Sequence, residues 1–370
     1  MQGDMPKPSE VVLSDQSVYD LAALGVLIND ELATYFSARS KQATRVAERY
    51  GELWQILANV ILHGGKRLRP YLMLVSYQMY GGRLNRSVIR AACAQELLHQ
   101  ALLVHDDIID RDYVRHGILN VAGQMRKQYQ AFDSMSDEDS RHFANGSALI
   151  AGDGALGAAF DILRTSGLPA EDVLSLQALV DEALFITIGG ELLDSESVSG
   201  HIVSVDPLAI ARLKTATYSC IVPLLSGAQL AGAGTDDVHS LRKYGEHAGI
   251  VFQFTDDLLG VFGDEKKTGK STTSDLEEGK HTFLMQHARE HGSAADRAVL
   301  NALVGKKGLT KDETTQVKEV LQRSGARTAT VSQIQKHAET ALQTLDSLHA
   351  SRQGKEALRG FVRGLVRRTT

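Results

Sequence analysis

Apolar residues recur every three or four positions along most of the chain, the spacing that places them on one face of an α-helix. A clear example runs from Tyr50 to Ile61 and meets a glycine pair, Gly64 and Gly65. Such a pair typically ends a helix. A sustained alternation of apolar and polar residues, which would indicate β-strands, is not found in the sequence. The pattern therefore predicts an all-α fold.

The same periodicity predicts a series of helices joined by short connections, the first beginning near Val18. Residues 124–141 are polar and are expected to be partly helix and partly loop at the surface. Since no linker or repeat divides the chain, we expect one compact domain over residues 16–370 after a disordered arm of residues 1–15. The further predicted helices cover about residues 50–63, 71–80, 87–111, 147–164, 170–197, 207–233, 236–261, 280–291, 294–304, 311–324, 326–349 and 353–367.

Composition and charge limit the classes of partner. The chain has 370 residues, 43% of them hydrophobic, and a net charge of −5, so neither nucleic acid nor an anionic membrane surface is an expected partner. The start MQGDMPKPSE has no apolar core, which argues against a signal peptide. No uninterrupted apolar run approaches the ~18 residues of a membrane span. We therefore expect a cytoplasmic protein without stable membrane insertion.

A first aspartate cluster, formed by Asp106, Asp107 and Asp110, lies inside an apolar helical pattern. Asp106 and Asp110 are one helical turn apart, so both carboxylates leave the same face. Carboxylates at such short spacing repel one another unless a cation lies between them. Oxygen ligands with room left for substrate phosphates suit Mg²⁺ better than a closed protein cage does.

A second aspartate cluster, Asp256 and Asp257, is also embedded in an apolar helical pattern. One such pair alone is compatible with a helix cap or a solvated helix edge. Two pairs in similar apolar surroundings favour a shared function. The sequence therefore predicts that two acidic helices bind a diphosphate through bridging metal ions.

A metal-bound diphosphate also needs cationic donors, because Lys and Arg bind phosphate oxygens by charge-assisted hydrogen bonds. Lys66, Arg67 and Arg69 follow the glycine pair within a few residues. For this segment alone, an ordinary basic helix start is the alternative interpretation. Further cations near the aspartates are Arg115, Lys214, Lys270 and Lys280.

Taken in their order along the chain, the basic segment, the two aspartate clusters and the nearby lysines resemble the motifs of the trans-isoprenyl diphosphate synthases, or polyprenyl synthetases. The similarity extends from about residue 55 to residue 285. The string DLLGVFGD and the surroundings of Lys270 are similar to the geranylgeranyl diphosphate synthase-like branch. The matching motifs are DDxxD at Asp106–Asp110, FQxxDD at Phe252–Asp257, the GGKRLRP segment, His99 in ELLH, and Lys214-Thr215.

The resemblance implies a helical bundle around a deep central cavity, usually in a homodimer. It also implies a magnesium-dependent prenyltransferase. Such an enzyme condenses isopentenyl diphosphate with an allylic diphosphate to an all-trans polyprenyl diphosphate and releases diphosphate. Three Mg²⁺ ions would be bound by Asp106, Asp110 and Asp256, with Asp107 and Asp257 in supporting positions.

The resemblance also implies substrate contacts for the cationic residues. The allylic diphosphate would be bound by Arg115, Lys214, Lys270 and Lys280. Isopentenyl diphosphate would be bound by Lys66, Arg67, Arg69, His99 and His116. Catalytic roles would fall to Lys214, Thr215 and Gln253. The side-chain oxygens of Thr215 and Gln253 would lie near the reacting carbons, where their dipoles can stabilise positive charge.

Three positions depart from the family pattern. Gly260 stands where many members have a third aspartate in the second motif, and Asp264, one turn further, is a candidate to compensate. His116 replaces the second arginine after the first motif, and a histidine donates to phosphate best when it is protonated. Glu191 stands where glutamine is common; with Asp194, it is equally compatible with a solvated or capping role.

Product length is expected to depend on the residues one turn below the first aspartate cluster. Ala101 and Leu102 lie five and four residues before Asp106, and a bulky aromatic side chain there would stop elongation early. Because Ala101 leaves room, we expect a product of C20, or longer. Leu98 is a candidate for the floor, although plain core packing also explains it.

Two alternatives remain open at the level of the sequence. A class I terpene cyclase would also ionise a diphosphate at an aspartate cluster, but it would not need Lys66, Arg69 and His99. A non-catalytic regulatory subunit of another prenyl synthase is the second alternative. Such a subunit tends to lose aspartates of the first motif, which this chain keeps.

Overall fold

The computed structural model describes residues 19–132, 134–198, 205–263 and 273–368. Within them the fold is α-helical, apart from one small hairpin, which confirms the predicted fold class. The expected arm over residues 1–15, Asp264 and Lys270 lie outside the described residues.

The helices are numbered here in chain order, and most of their bounds lie close to the predicted ranges, although α6 begins ten residues before its predicted start and α5 and α11 had no predicted range of their own. The helices are α1 (Leu21–Val46), α2 (Glu48–His63), α3 (Leu68–Met79), α4 (Arg86–Ile109), α5 (Val121–Tyr129), α6 (Asp137–Arg164), α7 (Ala170–Ser197), α8 (Pro207–Ile210), a π-helical segment (Ala211–Ile221), α9 (Val222–Leu230), α10 (Thr235–Phe262), α11 (Ser274–Glu278), α12 (Phe283–His291), α13 (Ala294–Leu303), α14 (Lys311–Arg323), α15 (Ala326–Thr344), a 3₁₀ turn (Leu345–Ser347) and α16 (Arg352–Arg367).

Local side-chain chemistry explains many helix starts. The side chains of Asp20 and Asn85 accept hydrogen bonds from the first turns of α1 and α4. Reciprocal capping boxes begin α13 and α14, where Ser293 pairs with Asp296 and Thr310 with Glu313. These caps satisfy backbone N–H groups that a helix end leaves without partners.

The chain forms two compact units. Unit 1 contains the described residues up to Val180, together with Pro223–Ala233 and Ser351–Gly354. Unit 2 contains Asp181–Val222, Gly234–Ala350 and the described residues from Lys355 onward. The single domain expected over residues 16–370 therefore stays a prediction.

In unit 1 the core is built around α4, which packs against α1, α3 and α6. Most of α4 is buried on all sides, including Ala92 and Leu97, neither of which has any exposed surface. Helix α9 joins this core through Ser76 Oγ, which donates a 2.7 Å hydrogen bond to the Leu224 carbonyl. The first aspartate cluster is therefore carried by the last turns of a rigid central helix.

In unit 2, α10 packs against the π-helical segment and α15. The close approach to the π-helical segment requires glycine, because a Cβ built on Gly249 would lie 2.4 Å from Ala216 Cα. The last helix, α16, is tied to α10 by Tyr244, whose hydroxyl donates to the Leu358 carbonyl at 2.8 Å. Helix α10 carries the second aspartate cluster near its C-terminal end.

Three of the described helical stretches are long and apolar enough to span a membrane by length and composition alone: α6, α7 and the continuous stretch Pro207–Leu230. The sequence expectation considered only uninterrupted apolar runs and therefore missed them. In the third stretch, 67% of the apolar window is buried inside the protein. The expected lack of membrane insertion stays a prediction.

Candidate active site

The first aspartate cluster lies at the C-terminal end of α4, with Asp110 as the residue that ends the helix. Arg115 neutralises part of its charge: its Nε donates to Asp107 Oδ1 at 2.6 Å and its Nη2 to Asp106 Oδ2 at 3.0 Å. Burial raises the pKa of Asp107 to about 6, although Arg115 acts in the opposite direction. The carboxylates are thus held close together in a place where a cation is favourable.

Arg115 reaches the cluster because it lies on a β-hairpin that the sequence reasoning missed. Strands Val114–Arg115 and Ile118–Leu119 pair in antiparallel register. The turn residues His116 and Gly117 both have positive φ, 52° and 77°, as a tight two-residue hairpin requires. A His-Gly pair between two short apolar stretches was the sequence signal for this hairpin.

The hairpin also brings His116 to the basic segment that follows α2. A Cβ built on Gly64 would lie 3.5 Å from the His116 ring. His99 lies in the same neighbourhood: burial, followed by the charges of Arg69 and Arg115, holds its pKa well below the usual value. His99 is therefore neutral. Unit 1 thus gathers several residues that were predicted to bind isopentenyl diphosphate.

Arg67 has a different environment from its neighbours in the GGKRLRP segment. It is 3% exposed, and its guanidinium donates to Asn29 Oδ1, Glu96 Oε1 and the Ile61 carbonyl, each at 2.7 Å. Its φ of 52° lies in the left-handed region. These contacts give Arg67 a structural role in shaping the GGKRLRP segment. Its neighbour Lys66, in contrast, is exposed to solvent. The predicted substrate contact of Arg67 stays untested.

The second aspartate cluster is part of a chain of side-chain hydrogen bonds. Thr215 Oγ1 donates to Gln253 Oε1 at 2.5 Å, and Gln253 Nε2 donates to Asp257 Oδ1 at 2.7 Å. Burial is the largest cause that raises the pKa of Asp257 to about 8; the nearby carboxylates of Asp275, Asp194 and Asp256 act in the same direction, and the hydrogen bond from Gln253 acts against them. The structure therefore links Thr215 to the partly buried Asp257 through the amide of Gln253.

Lys214, on the π-helical segment, is held by two acidic residues of α7. Its Nζ lies 2.6 Å from Asp194 Oδ2 and 2.9 Å from Glu191 Oε2. At the level of the sequence, a solvated or capping role was equally compatible with Glu191 and Asp194. In the structure both acids form ion pairs with Lys214 and thereby position its ammonium group. Lys280 forms an ion pair of 2.7 Å with Glu278.

Two of the three residues that were expected to limit product length, Ala101 and Leu98, are packed in the α4 core. Ala101 is 1% exposed and Leu98 is fully buried, whereas Leu102 is partly exposed.

Within the described residues, no three His, Cys, Asp or Glu side chains converge as a ready metal site. Mg²⁺ commonly keeps water and substrate phosphates as ligands, so a few carboxylates on one helix fit its requirements.

Comparisons with known proteins agree with this geometry. The family described as Polyprenyl synthetase matches residues 51–322. A geranylfarnesyl diphosphate synthase of Aeropyrum pernix is 31% identical over 84% of this chain and 92% of its own length. A geranylgeranyl diphosphate synthase of Sulfolobus acidocaldarius is 30% identical over 74% of this chain and 77% of its own length.

Among solved structures, a geranylgeranyl pyrophosphate synthase of Corynebacterium glutamicum, complexed with isoprenyl diphosphate and magnesium, is similar with a TM-score of 0.89. It is 30% identical, and the match covers 94% of this chain and 99% of that one. The chain belongs to the polyprenyl synthetase family. It is a trans-prenyltransferase that makes all-trans polyprenyl diphosphates, which confirms the predicted class of enzyme.

Proposed function

We propose that the protein condenses isopentenyl diphosphate with allylic diphosphates to geranylgeranyl diphosphate, with three Mg²⁺ ions bound at its two aspartate clusters. The observation that carries this proposal is a pair of acids withdrawn from solvent, the buried Asp107 and the partly buried Asp257: the pKa of Asp107 is raised to about 6 and that of Asp257 to about 8. Acids in such environments ionise readily only when a cation compensates for the lost hydration.

On the isopentenyl side, the proposed ligands are Lys66, Arg69, His99 and His116. Lys66 is exposed and can follow an incoming diphosphate, whereas Arg69 is buried beside the neutral His99. A neutral imidazole still donates one N–H to a phosphate oxygen. The His116 ring packs against the glycine that opens the basic segment. Together, these contacts would fix the diphosphate and leave the double bond free to react.

On the allylic side, Lys214 and Arg115 would bind the leaving diphosphate together with Lys280, and Lys214 and Arg115 are already oriented by acidic partners. Bound metal ions would supply electrostatic stabilisation of the departing diphosphate. Thr215 and Gln253 would direct oxygen dipoles at the allylic carbons as positive charge develops. Since Gln253 donates to Asp257, its amide oxygen has a fixed direction.

A product of about twenty carbons is supported by the small side chain of Ala101 and by the names of the relatives. Both curated relatives described above make geranylgeranyl or geranylfarnesyl diphosphate by name. An aromatic side chain at this buried position would fill space next to the first aspartate cluster. Because alanine and not an aromatic residue occupies position 101, a longer prenyl chain would fit.

We further propose a cytoplasmic homodimer, whose formation would cover the exposed apolar residues of α6 and, separately, those of α7. On α7, Phe185 is 82% exposed, and Ile188 and Leu192, on the same face, are more than half exposed. On α6, Leu149 and Ile150 are similarly exposed. Exposed apolar surface of this kind marks interfaces. Light scattering of the wild type and of Phe185→Glu would test the homodimer, because the variant should become monomeric. Flotation of the wild type with liposomes would contradict the proposal.

The decisive experiment incubates the purified protein with Mg²⁺, labelled isopentenyl diphosphate and allylic primers of increasing length. An elongated product, sized by its carbon number, supports the proposal. Asp106→Ala should abolish turnover and leave the helical circular dichroism signal intact, whereas Asp30→Ala, an exposed aspartate of α1, should behave as the wild type. Full turnover by Asp106→Ala would refute the assignment.

A further inference from the structure

Gly260 leaves a gap in the second aspartate cluster. It follows Asp256 by one helical turn and shares its face of α10. A Cβ built on Gly260 would lie 1.9 Å from Asp275 Oδ2 and 2.9 Å from Asp275 Cγ. Separations this short are impossible between non-bonded atoms. The Asp275 carboxylate therefore occupies the place where a side chain at position 260 would begin.

We propose that Asp275 supplies the carboxylate that position 260 lacks and binds a divalent cation together with Asp256. Gly260 is then needed because any side chain there would displace Asp275. The inference rests on the proposed metal-dependent function of the two clusters. The sequence expectation that Asp264 compensates for the glycine lies outside the described residues and stays a prediction.

Asp275 is held in this place by the turn that ends α11. Its backbone carbonyl accepts hydrogen bonds from the N–H groups of Gly279 and Lys280, at 3.2 and 3.3 Å. Helix α11 is anchored further by Glu277, whose Oε1 accepts from Leu309 N at 2.9 Å. Because these contacts fix the backbone, the position of the Asp275 carboxylate against α10 is set by the fold.

The same geometry places the Asp275 carboxylate against the face of α10 that carries Asp256, because Gly260 and Asp256 are one helical turn apart. Carboxylate oxygens supplied by two separate segments suit a hard cation that requires several oxygen ligands.

The arrangement also couples metal binding to Lys280, which follows Asp275 by five residues and is predicted to bind the allylic diphosphate. A cation bound by Asp275 would fix the start of α11 and, through the same turn, the backbone of Lys280. One glycine in α10 would thus allow a neighbouring segment to carry both a metal ligand and a diphosphate ligand.

The test measures the affinity for Mn²⁺ in the presence of inorganic pyrophosphate, by electron paramagnetic resonance of free Mn²⁺, with the full-length protein. Asp275→Asn should weaken Mn²⁺ binding by about 10- to 100-fold, the range typical of losing a group that supports a metal site. Gly260→Ala should weaken it in the same direction, because the methyl group displaces Asp275. Asp312→Asn, an exposed aspartate at the start of α14, should bind as the wild type.

A swap of positions makes the test specific. Gly260→Asp combined with Asp275→Gly should restore Mn²⁺ affinity to within a few-fold of the wild type, because the carboxylate then returns from α10 itself. Wild-type affinity in both Asp275→Asn and Gly260→Ala would overturn the inference. If the wild type elongates an allylic primer with isopentenyl diphosphate in that case, only this inference fails; a wild type that elongates no allylic primer contradicts the proposed function instead. If Asp275→Asn folds poorly, the Mn²⁺ affinity of Gly260→Ala, a variant that keeps the Asp275 carboxylate, decides between the two outcomes.

Discussion

Arg368 Nη2 lies 3.4 Å from Asp256 Oδ1, so the end of the chain brings a cation to the second aspartate cluster. Both side chains are about one third exposed, at 35% and 37%. An exposed ion pair of this kind contributes only about 0–1 kcal/mol and is readily exchanged. Arg368 can therefore leave Asp256 when a metal ion binds there and turn to the diphosphate.

The first prediction concerns this exchange. Arg368→Gln should raise the KM for the allylic diphosphate by about three- to tenfold, which corresponds to ~0.7–1.4 kcal/mol of lost phosphate contact. Its melting temperature should stay within about one degree of the wild type, because the pair is exposed. Arg352→Gln, at the exposed beginning of α16, the helix that ends one residue before Arg368, is the matched control. An unchanged KM in Arg368→Gln would show that the contact has no part in substrate binding.

The second prediction separates structure from binding in the basic segment. Arg67→Ala leaves Glu96, with a side chain 1% exposed, as an uncompensated buried charge, so the free energy of unfolding should fall by about 3–5 kcal/mol. Lys66→Ala should leave stability unchanged within ~0.5 kcal/mol and raise the KM for isopentenyl diphosphate. Denaturant unfolding and steady-state kinetics measure both quantities. If Arg67→Ala unfolds like the wild type and only its KM rises, Arg67 is a substrate ligand after all.

The helices were largely predictable from the sequence because each one carries an apolar stripe and ends at a recognisable residue. Helix α2 ends one residue before Gly64, and α7 matches its predicted range, 170–197. Such signals are local, so they do not depend on the tertiary fold. The hairpin of Arg115 was missed because its strands are only two residues long and show no periodicity.

The candidate site was predictable in composition and less so in arrangement. The shared helical face of Asp106 and Asp110 could be predicted from their spacing in the sequence alone. The three contacts of Arg67, in contrast, come from residues between 6 and 38 positions away, which no local pattern indicates. The contact of Asp275 with Gly260 likewise joins different helices. Long-range contacts of this kind decide which member of a charged cluster binds substrate and which one supports the fold.

The third prediction follows from the raised pKa values of Asp107, about 6, and Asp257, about 8. Without metal, the folded protein retains protons on these acids that the unfolded chain releases near pH 4. Its stability should therefore fall as the pH rises from about 4 to 8 and level off above that range. Mg²⁺ with pyrophosphate should oppose this fall, because ionised carboxylates bind the metal. Thermal melting across this range, with and without Mg²⁺, measures the effect.

The control for the pH series is Asp257→Asn, which removes the acid with the higher pKa. Its metal-free melting temperature should vary less between pH 6 and pH 8 than that of the wild type. The stabilisation by Mg²⁺ and pyrophosphate should also be smaller in this variant. A wild type whose metal-free stability rises over the same interval would contradict the assigned environments.

The fourth prediction is that Ala101→Phe shortens the product. Ala101 is 1% exposed and lies five residues before Asp106 on α4, so the added ring must occupy space below the first aspartate cluster. Overpacking there costs about 1–3 kcal/mol, so products are compared well below the melting temperature of the variant. Ala92→Phe adds the same ring to an equally buried site on α4 and should destabilise without shortening the product. Chromatography of the dephosphorylated products measures carbon number. If both variants yield the wild-type product spectrum, chain length is set by residues other than Ala101; if both shorten it, the effect reflects a general distortion of α4.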